Sequence, residues 1–479
     1  MKRIFFSGIC LAGLFAGCLL FFTSCETLEN IGDKISGIFA SDKDEEENSV
    51  SGKAPSPVKI QPRQTYYATP ESYEKAYSFR TDLPDKTIQT YIKNKNVDSL
   101  RQTNPKEYIK SITGKINESA VNDFERVKLA HDVICLLISY DAKNFWVNTV
   151  PSQDWQSVLK TKTAVCEGYA NLFQQFMTSL NISSQKVSGY ARGVGTDILA
   201  ENPKASNHAW NIVKIEGCWY LVDCTWDSGY MKGKSSVQSY TTDWLFLKPE
   251  HFVYTHFPSD AKNQLIQPAL SAAEFSALPD FRPKLFEIAG DNFNSIKKNN
   301  SAASSYSIES KIKEGWKLTY VLRADSGSEV KNGIWTEKDG RITETTFQFP
   351  SAGRYSVFVY YEKESSLSGQ SCGQFIINAS EASSIKYPAV YPVKSKSAKL
   401  ISPKQSPLAG GDTVEFEVFC DDRAFVAAIV GRNFIQLEND GSGSFTGQVS
   451  IPKGTKQISI GLSANGKGSY ETLAVFEVK

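Results

Sequence analysis

Residues Asn207–Trp226 read NHAWNIVKIEGCWYLVDCTW, and the fold turns on how this stretch pairs with itself. Apolar and polar residues alternate on both sides of Glu216-Gly217, a two-residue unit in which glycine supplies φ > 0, so the stretch predicts a β-hairpin. A two-residue turn fixes the register. Ile215 falls opposite Cys218, Asn211 opposite Val222, Trp210 opposite Asp223 and His208 opposite Thr225. Alternation then puts His208, Trp210, Asp223 and Thr225 on one face. His208 and Asp223 are diagonal neighbours there, roughly 7 Å apart along the backbone. The hairpin alone thus carries an imidazole towards a carboxylate, and a slip of one residue would part them.

Upstream, Thr161–Phe176 reads TKTAVCEGYANLFQQF. Tyr169, Leu172, Phe173, Phe176, Met177 and Leu180 recur at three- and four-residue steps, which predicts a helix beginning near Val165 with Cys166 at its tip. A helix N-terminus stabilises a thiolate through partial positive charge and unpaired N–H groups. The same N–H groups suit an oxyanion on a substrate carbonyl. Gln153 and Trp155, in PSQDWQSVLKTKTAVC, are further candidate oxyanion donors through an amide or indole N–H, although Trp155 also suits packing. A thiol needs a base, and the base needs an orienting group. Cys166, His208 and Asp223 are residues of those three types. Three histidines remain. His131 lies on the apolar face of DFERVKLAHDVICLLISYD, formed by Phe124, Val127, Ala130, Ile134, Leu137 and Ile138, and reads as a core residue. His251 and His256 sit in KPEHFVYTHFPSD with no evident partner. Cys135 and Cys224 border apolar runs and read as packing thiols.

These residues resemble a known family. VCEGYANLF, NHAWNIV and CWYLVDCTWD are similar to the three motifs of the transglutaminase-like core, a relative of papain-type cysteine enzymes. LAHDVICLLISYD resembles the segment opening that core. DWLFLKPEHFVYTHFPSD with QLIQPALSAAEF resembles the kyphoscoliosis-peptidase branch, whose core is followed by immunoglobulin-like regions. The resemblance covers about 110–280. It implies an α+β papain/transglutaminase-like core with Cys166 as nucleophile, His208 as general acid and base, and Asp223 orienting it. It implies acyl transfer from peptide or protein amides, without a cofactor. Water as acceptor gives a peptidase or amidase and an amine gives cross-linking; the branch favours water.

The rest of the chain sets organisation and address. A basic head, Met1-Lys2-Arg3, precedes an apolar run from Ile4 to Phe22, then Thr23-Ser24-Cys25. This is the layout of an export signal. The small pair before Cys25 resembles a bacterial lipoprotein signal with Cys25 lipidated; Cys18 is a weaker candidate. The alternative is an uncleaved anchor, since about 19 apolar residues can span a bilayer. Either predicts a cell-envelope protein tethered to a membrane on its periplasmic or cell-surface side, with protein or peptide substrates there. Residues 26–62 are charged and Ser/Pro-rich, a disordered tether. The expected domains are a signal at 1–25, the core at 63–280, and two all-β immunoglobulin-like sandwiches at 281–380 and 397–479, joined by 381–396. With 53 Lys+Arg against 52 Asp+Glu, nothing points to nucleic acid.

The nine cysteines include no CxxC and no Cys/His cluster with zinc spacing. No DxDxDG calcium loop occurs either, so no metal is expected. Cys218 and Cys224 read as one strand, roughly 20 Å end to end, too far for a disulfide, which needs about 7 Å between Cα atoms. The competing functional reading is a catalytically silent surface scaffold that binds through its β domains.

Overall fold

The computed structural model describes residues 61–62, 68–193, 206–366, 368–395, 397–466 and 469–479. The expected export signal, Cys25 and the expected tether up to residue 60 lie outside the described residues. The last two tether residues, Gln61–Pro62, form a short antiparallel ladder with Ile266–Gln267. The chain divides into two compact units, 1–283 and 284–479.

In the first unit, helix α1 (Asp123–Leu137) starts at Asn122, whose side chain accepts from the Glu125 N–H at 3.0 Å. Asp123 and Glu125 in its first turn suit the positive helix end. The sequence suggested one apolar face; instead α1 is buried nearly all round, Lys128, His131 and Asp132 included. Helix α2 (Trp155–Thr161) leads into helix α3 (Cys166–Ser179). Val165 is the cap of α3, extended at φ −93° and ψ 179°, and it has no side-chain cap hydrogen bond. A valine cannot accept from the first N–H groups of the helix, so they remain free of a local side-chain partner. Gly168 is forced by packing: a Cβ there would meet Gln153 Oε1 at 2.5 Å and Val158 Cγ2 at 2.8 Å.

Strands β1 (Ser184–Ala191), β2 (His208–Ile215) and β3 (Cys218–Val222) follow. The β2–β3 hairpin has Asn211 opposite Val222 and Ile215 opposite Cys218, with Glu216 at φ 51° and Gly217 at φ 85°. The strand reading of Asp223–Thr225 does not hold. β3 stops at Val222, and Asp223 caps the one-turn helix α4 (Cys224–Asp227), accepting the Thr225 and Trp226 N–H groups at 2.8 and 3.2 Å. Side-chain capping of a turn competes with the ladder at an Asp, and here it wins. Cys218 and Cys224 therefore belong to different elements, and both are free thiols.

With β4 (Leu245–Leu247) and β5 (His256–Pro258), the antiparallel sheet has the order β5-β1-β2-β3-β4. One face packs Val213, Ile215, Tyr220 and Val222 with Tyr169, Phe173 and Phe176 of α3. The other packs Val187, Trp210, Ile212 and Leu221 with Trp244, Leu247 and Phe252. Alternate residues of each strand serve opposite cores, as the pleat requires.

The second unit begins within a short helix, Pro283–Ala289, and is otherwise rich in strands. One pair of sheets pairs Trp316–Ala324, Gly353–Lys363 and Gln370–Ala379 in the first sheet. The second sheet joins Ser305–Lys311, Ile342–Gln348 and Ile334–Asp339. Tyr320 and Phe347 meet edge-to-face between them at 5.5 Å. A second pair of sheets closes over Phe416, Val418, Phe445, Ile458, Ile460 and Phe476. The expected linker is not wholly a linker: Ala389–Val390 pairs with Ala474–Val475 and becomes an edge strand of this second sandwich. The architecture is thus an α+β core followed by an all-β region.

Candidate active site

Three elements converge. Cys166 stands first in α3, His208 first in β2, and Asp223 at the head of α4; all three are buried. His208 Nε2 is 2.7 Å from Asp223 Oδ2, which leaves Nδ1 as the ring atom available to a thiol. Cys166 is close enough to act on the imidazole by charge. Burial opposes a charge on His208, but Asp223 and then Cys166 outweigh it and raise its pKa to about 10. Burial also opposes the Asp223 charge, and His208 and His256 overcome it, holding the carboxyl far below the usual range. A thiol facing an imidazolium that is braced by a buried carboxylate can form an ion pair and attack a carbonyl carbon.

The expected oxyanion donors are placed differently. Gln153 Oε1 accepts the Val165 N–H at 2.9 Å, and its Nε2 donates to the Pro151 carbonyl at 2.8 Å. Asn171 Nδ2 donates to the Gln153 carbonyl at 2.9 Å. The Gln153 amide thus ties the backbone just ahead of Cys166 to the Pro151 loop. Trp155 opens α2 and packs, half-buried, against the helical core. The Cys166 N–H, at the first position of α3, is the backbone donor beside the sulfur.

Two residues near the site were not singled out in the sequence. Tyr140 pairs in parallel with Ala164, two residues before Cys166. Burial, and next Cys166, push its phenol pKa up. His256 begins β5, and its Nε2 is 3.2 Å from Asp223 Oδ2. No local pattern marks it, because its partner is fixed by the pairing of His256 with Ala191, far away in the sequence.

A second buried cluster lies at the other end of α4. His131 Nε2 is 3.0 Å from Asp227 Oδ2 and 3.5 Å from Cys135 Sγ. The donor atoms of His131, Cys135 and Cys224 lie within 4.8 Å of one another, close enough to gather round a metal ion. The imidazole of this group already has two carboxylates beside it. Burial opposes a charge on His131, but the Asp132 carboxylate, 3.6 Å from Nδ1, and the Asp227 carboxylate, 3.0 Å from Nε2, raise its pKa to about 10, while Lys128 pairs with Asp132 at 2.6 Å.

A helix tip, a hairpin strand and a capped turn thus bring Cys166, His208 and Asp223 into one buried region. Residues 110–224 match the model of the transglutaminase-like superfamily, so the chain carries a transglutaminase-like domain. It is similar to kyphoscoliosis peptidase of Mus musculus, 29% identical over 203 residues, which is 41% of this chain and 30% of the mouse protein. The Homo sapiens protein of that name is 30% identical over 181 residues, covering 36% of this chain and 27% of the human one. The chain thus spans less than a third of the length of these relatives. Among solved structures, the crystal structure of a TGase is 19% identical with a TM-score of 0.21, covering 35% of this chain and 41% of that one. Tandem Ig domains of titin give 13% identity and a TM-score of 0.13 over 38% of this chain and 92% of theirs.

Proposed function

We propose that the protein is an exported, membrane-tethered thiol enzyme that transfers acyl groups from peptide or protein amides of the cell envelope. The observation that carries the reading is the 2.7 Å bond from His208 to Asp223, with Cys166 near enough to help raise the imidazole's pKa. Cys166 Sγ attacks the amide carbonyl, and the oxyanion lies against the Cys166 N–H at the helix tip. Collapse breaks the C–N bond, the leaving amine takes the proton of His208, and a thioester remains. Water then attacks with His208 as base, releasing the acid and restoring the thiol. The mouse and human relatives are named as peptidases, which supports water over an amine as acceptor.

The basic head, apolar run and Thr23-Ser24-Cys25 support export and lipidation at Cys25. Incorporation of labelled palmitate that is lost in Cys25→Ala tests the tether; incorporation that persists in the variant rejects it. For the chemistry, envelope proteins are compared after incubation with the wild type or Cys166→Ala. New N-termini are expected with the wild type alone. Gln→Glu conversion or isopeptide links would reassign the acceptor, and identical products from the two proteins would reject the enzyme.

A further inference from the structure

Asp223 offers four lone-pair positions, and four donors fill them. Oδ1 takes the Thr225 and Trp226 N–H groups at 2.8 and 3.2 Å. Oδ2 takes His208 at 2.7 Å and His256 at 3.2 Å. The second imidazole is fully buried. Phe252, Trp226, Trp210 and Trp244 enclose it, with ring centroids at 4.0, 4.5, 5.0 and 5.1 Å. Such a box holds no solvent for a second imidazolium, and the single charge of Asp223 is already matched by His208. Burial is the main cause that lowers the pKa of His256 to about 4, with His208 and Arg282 adding to it. A neutral ring that donates from Nε2 must accept at Nδ1, and the Thr255 hydroxyl stands 2.8 Å from that atom.

We propose that His256 is a positioning residue: a neutral Nε2–H donor that shares Asp223 Oδ2 with His208, fixes the carboxylate and takes up part of the charge that His208 feels. This rests on the Cys166–His208–Asp223 reading above. Asp223 must do two things for His208. It must hold the imidazolium while the thiolate attacks, and it must let the proton go to the leaving amine. A carboxylate shared between two donors binds each less tightly than one donor alone. Removing His256 therefore leaves His208 more basic and its proton harder to release. The other ionisable groups around the pair are Cys166 from α3, Tyr140 and Tyr169 beside Asp223, and Arg282, whose guanidinium lies 5.2 Å from the Trp226 ring.

The chain has four histidines, so ring-15N labelling resolves them. In the wild type, His256 is expected as the Nε2–H tautomer, not titrating between about pH 5 and 9. Cys166→Ala removes the sulfur that helps to raise His208 and so brings its titration lower. In that background His256→Phe is expected to raise the His208 midpoint by about half a pH unit or more, and His256→Gln, which keeps an N–H donor, to restore it. A residue that only fills space would leave the midpoint unmoved, or lower it as the His208–Asp223 bond loosens. An Nδ1–H tautomer, a His256 titration in that window, or a midpoint that stays or falls each overturns the proposal. If His256→Phe does not fold, the wild-type tautomer decides alone. The thiol reading fails separately: there, His208→Ala alkylates at Cys166 as fast as the wild type, whatever His256 does.

Discussion

Asp223→Asn separates the charge of this residue from its shape. The amide keeps Oδ1 as acceptor for Thr225 and Trp226, so the cap of α4 survives. What changes is Oδ2, where an NH2 group now faces the imidazole N–H donors of His208 and His256. His208 loses the main source of stabilisation for its charge, while its burial, which opposes that charge, remains. Its pKa should fall from about 10 to the ordinary value of 6.5 or below. At about pH 7.5, nearly every wild-type molecule then carries the imidazolium, against roughly one in ten or fewer in the variant. A thiolate that depends on that partner is lost in proportion, so alkylation of Cys166 should slow by about 10- to 100-fold, the upper end if the ring turns to the wrong tautomer. The assay is the rate of iodoacetamide labelling at Cys166, located by mass spectrometry, across the pH range. The deficit should narrow below about pH 6, where the variant imidazole also protonates. A variant within twofold of the wild type at neutral pH, in a protein whose labelling still needs His208, would refute the argument.

Stability should peak near neutral pH. His131 and His208, both raised to about 10, contribute stability that is complete below their unfolded pKa and is lost as pH climbs towards 10. His256, depressed to about 4, contributes stability that is complete above 6.5 and is lost as pH falls towards 4. The alkaline limb should be about twice as steep as the acid one, at about 1.4 kcal/mol per pH unit for each proton, as read by urea unfolding; equal or reversed slopes would contradict the assignment. Gly168→Ala should cost about 1–3 kcal/mol by overpacking and slow Cys166 labelling, because the new Cβ pushes Gln153 off the Val165 N–H; unchanged urea midpoint and labelling would remove Gln153 as a brace. His131→Leu should cost about 3–5 kcal/mol at neutral pH by stranding a buried charge, since among the described residues Asp227 then keeps Thr241 and Trp244 as donors. A loss below about 1 kcal/mol in the same measurement would mean that Asp227 had been protonated or solvated instead.

The hairpin register was legible because Glu216-Gly217 leaves a two-residue turn only one way to pair, and Asn211 duly meets Val222. The helix start was legible for a similar local reason: the apolar period of α3 begins after Val165. The end of β3 was not. Asp223 satisfies both a strand pattern and a helix cap, and the choice depends on Thr225 and Trp226 turning back towards it. His256 was invisible because β5 reaches β1 across a long connection, and its box draws Trp210, Trp226, Trp244 and Phe252 from four separate segments. The burial of α1 on all sides was also hidden. Only one apolar face was expected, yet Asp132 is also enclosed, accepting from Lys128, the Tyr240 hydroxyl and the Asp85 N–H. Polar residues were enclosed because they found partners far along the chain, which periodicity does not report.

The sequence DCTWD explains how so short a turn can fix a buried carboxylate beside His208. Its two aspartates bracket α4, and each binds a histidine from a different element: Asp223 takes His208 of β2, Asp227 takes His131 of α1. The Asp227 N–H also donates to the Asp223 carbonyl at 3.2 Å, which ties the ends to each other. A four-residue helix has almost no intrinsic stability, so its position is set from outside, by these two buried carboxylates and the donors that saturate them. The consequence is that the carboxylate facing His208 is located by contacts that never touch Cys166. His131 and Thr241 fix Asp227, Asp227 fixes the turn, and the turn presents Asp223. Loss of a distant partner should therefore degrade the His208–Asp223 bond before it unfolds the sheet, because β2 and β3 keep their own ladder whatever α4 does.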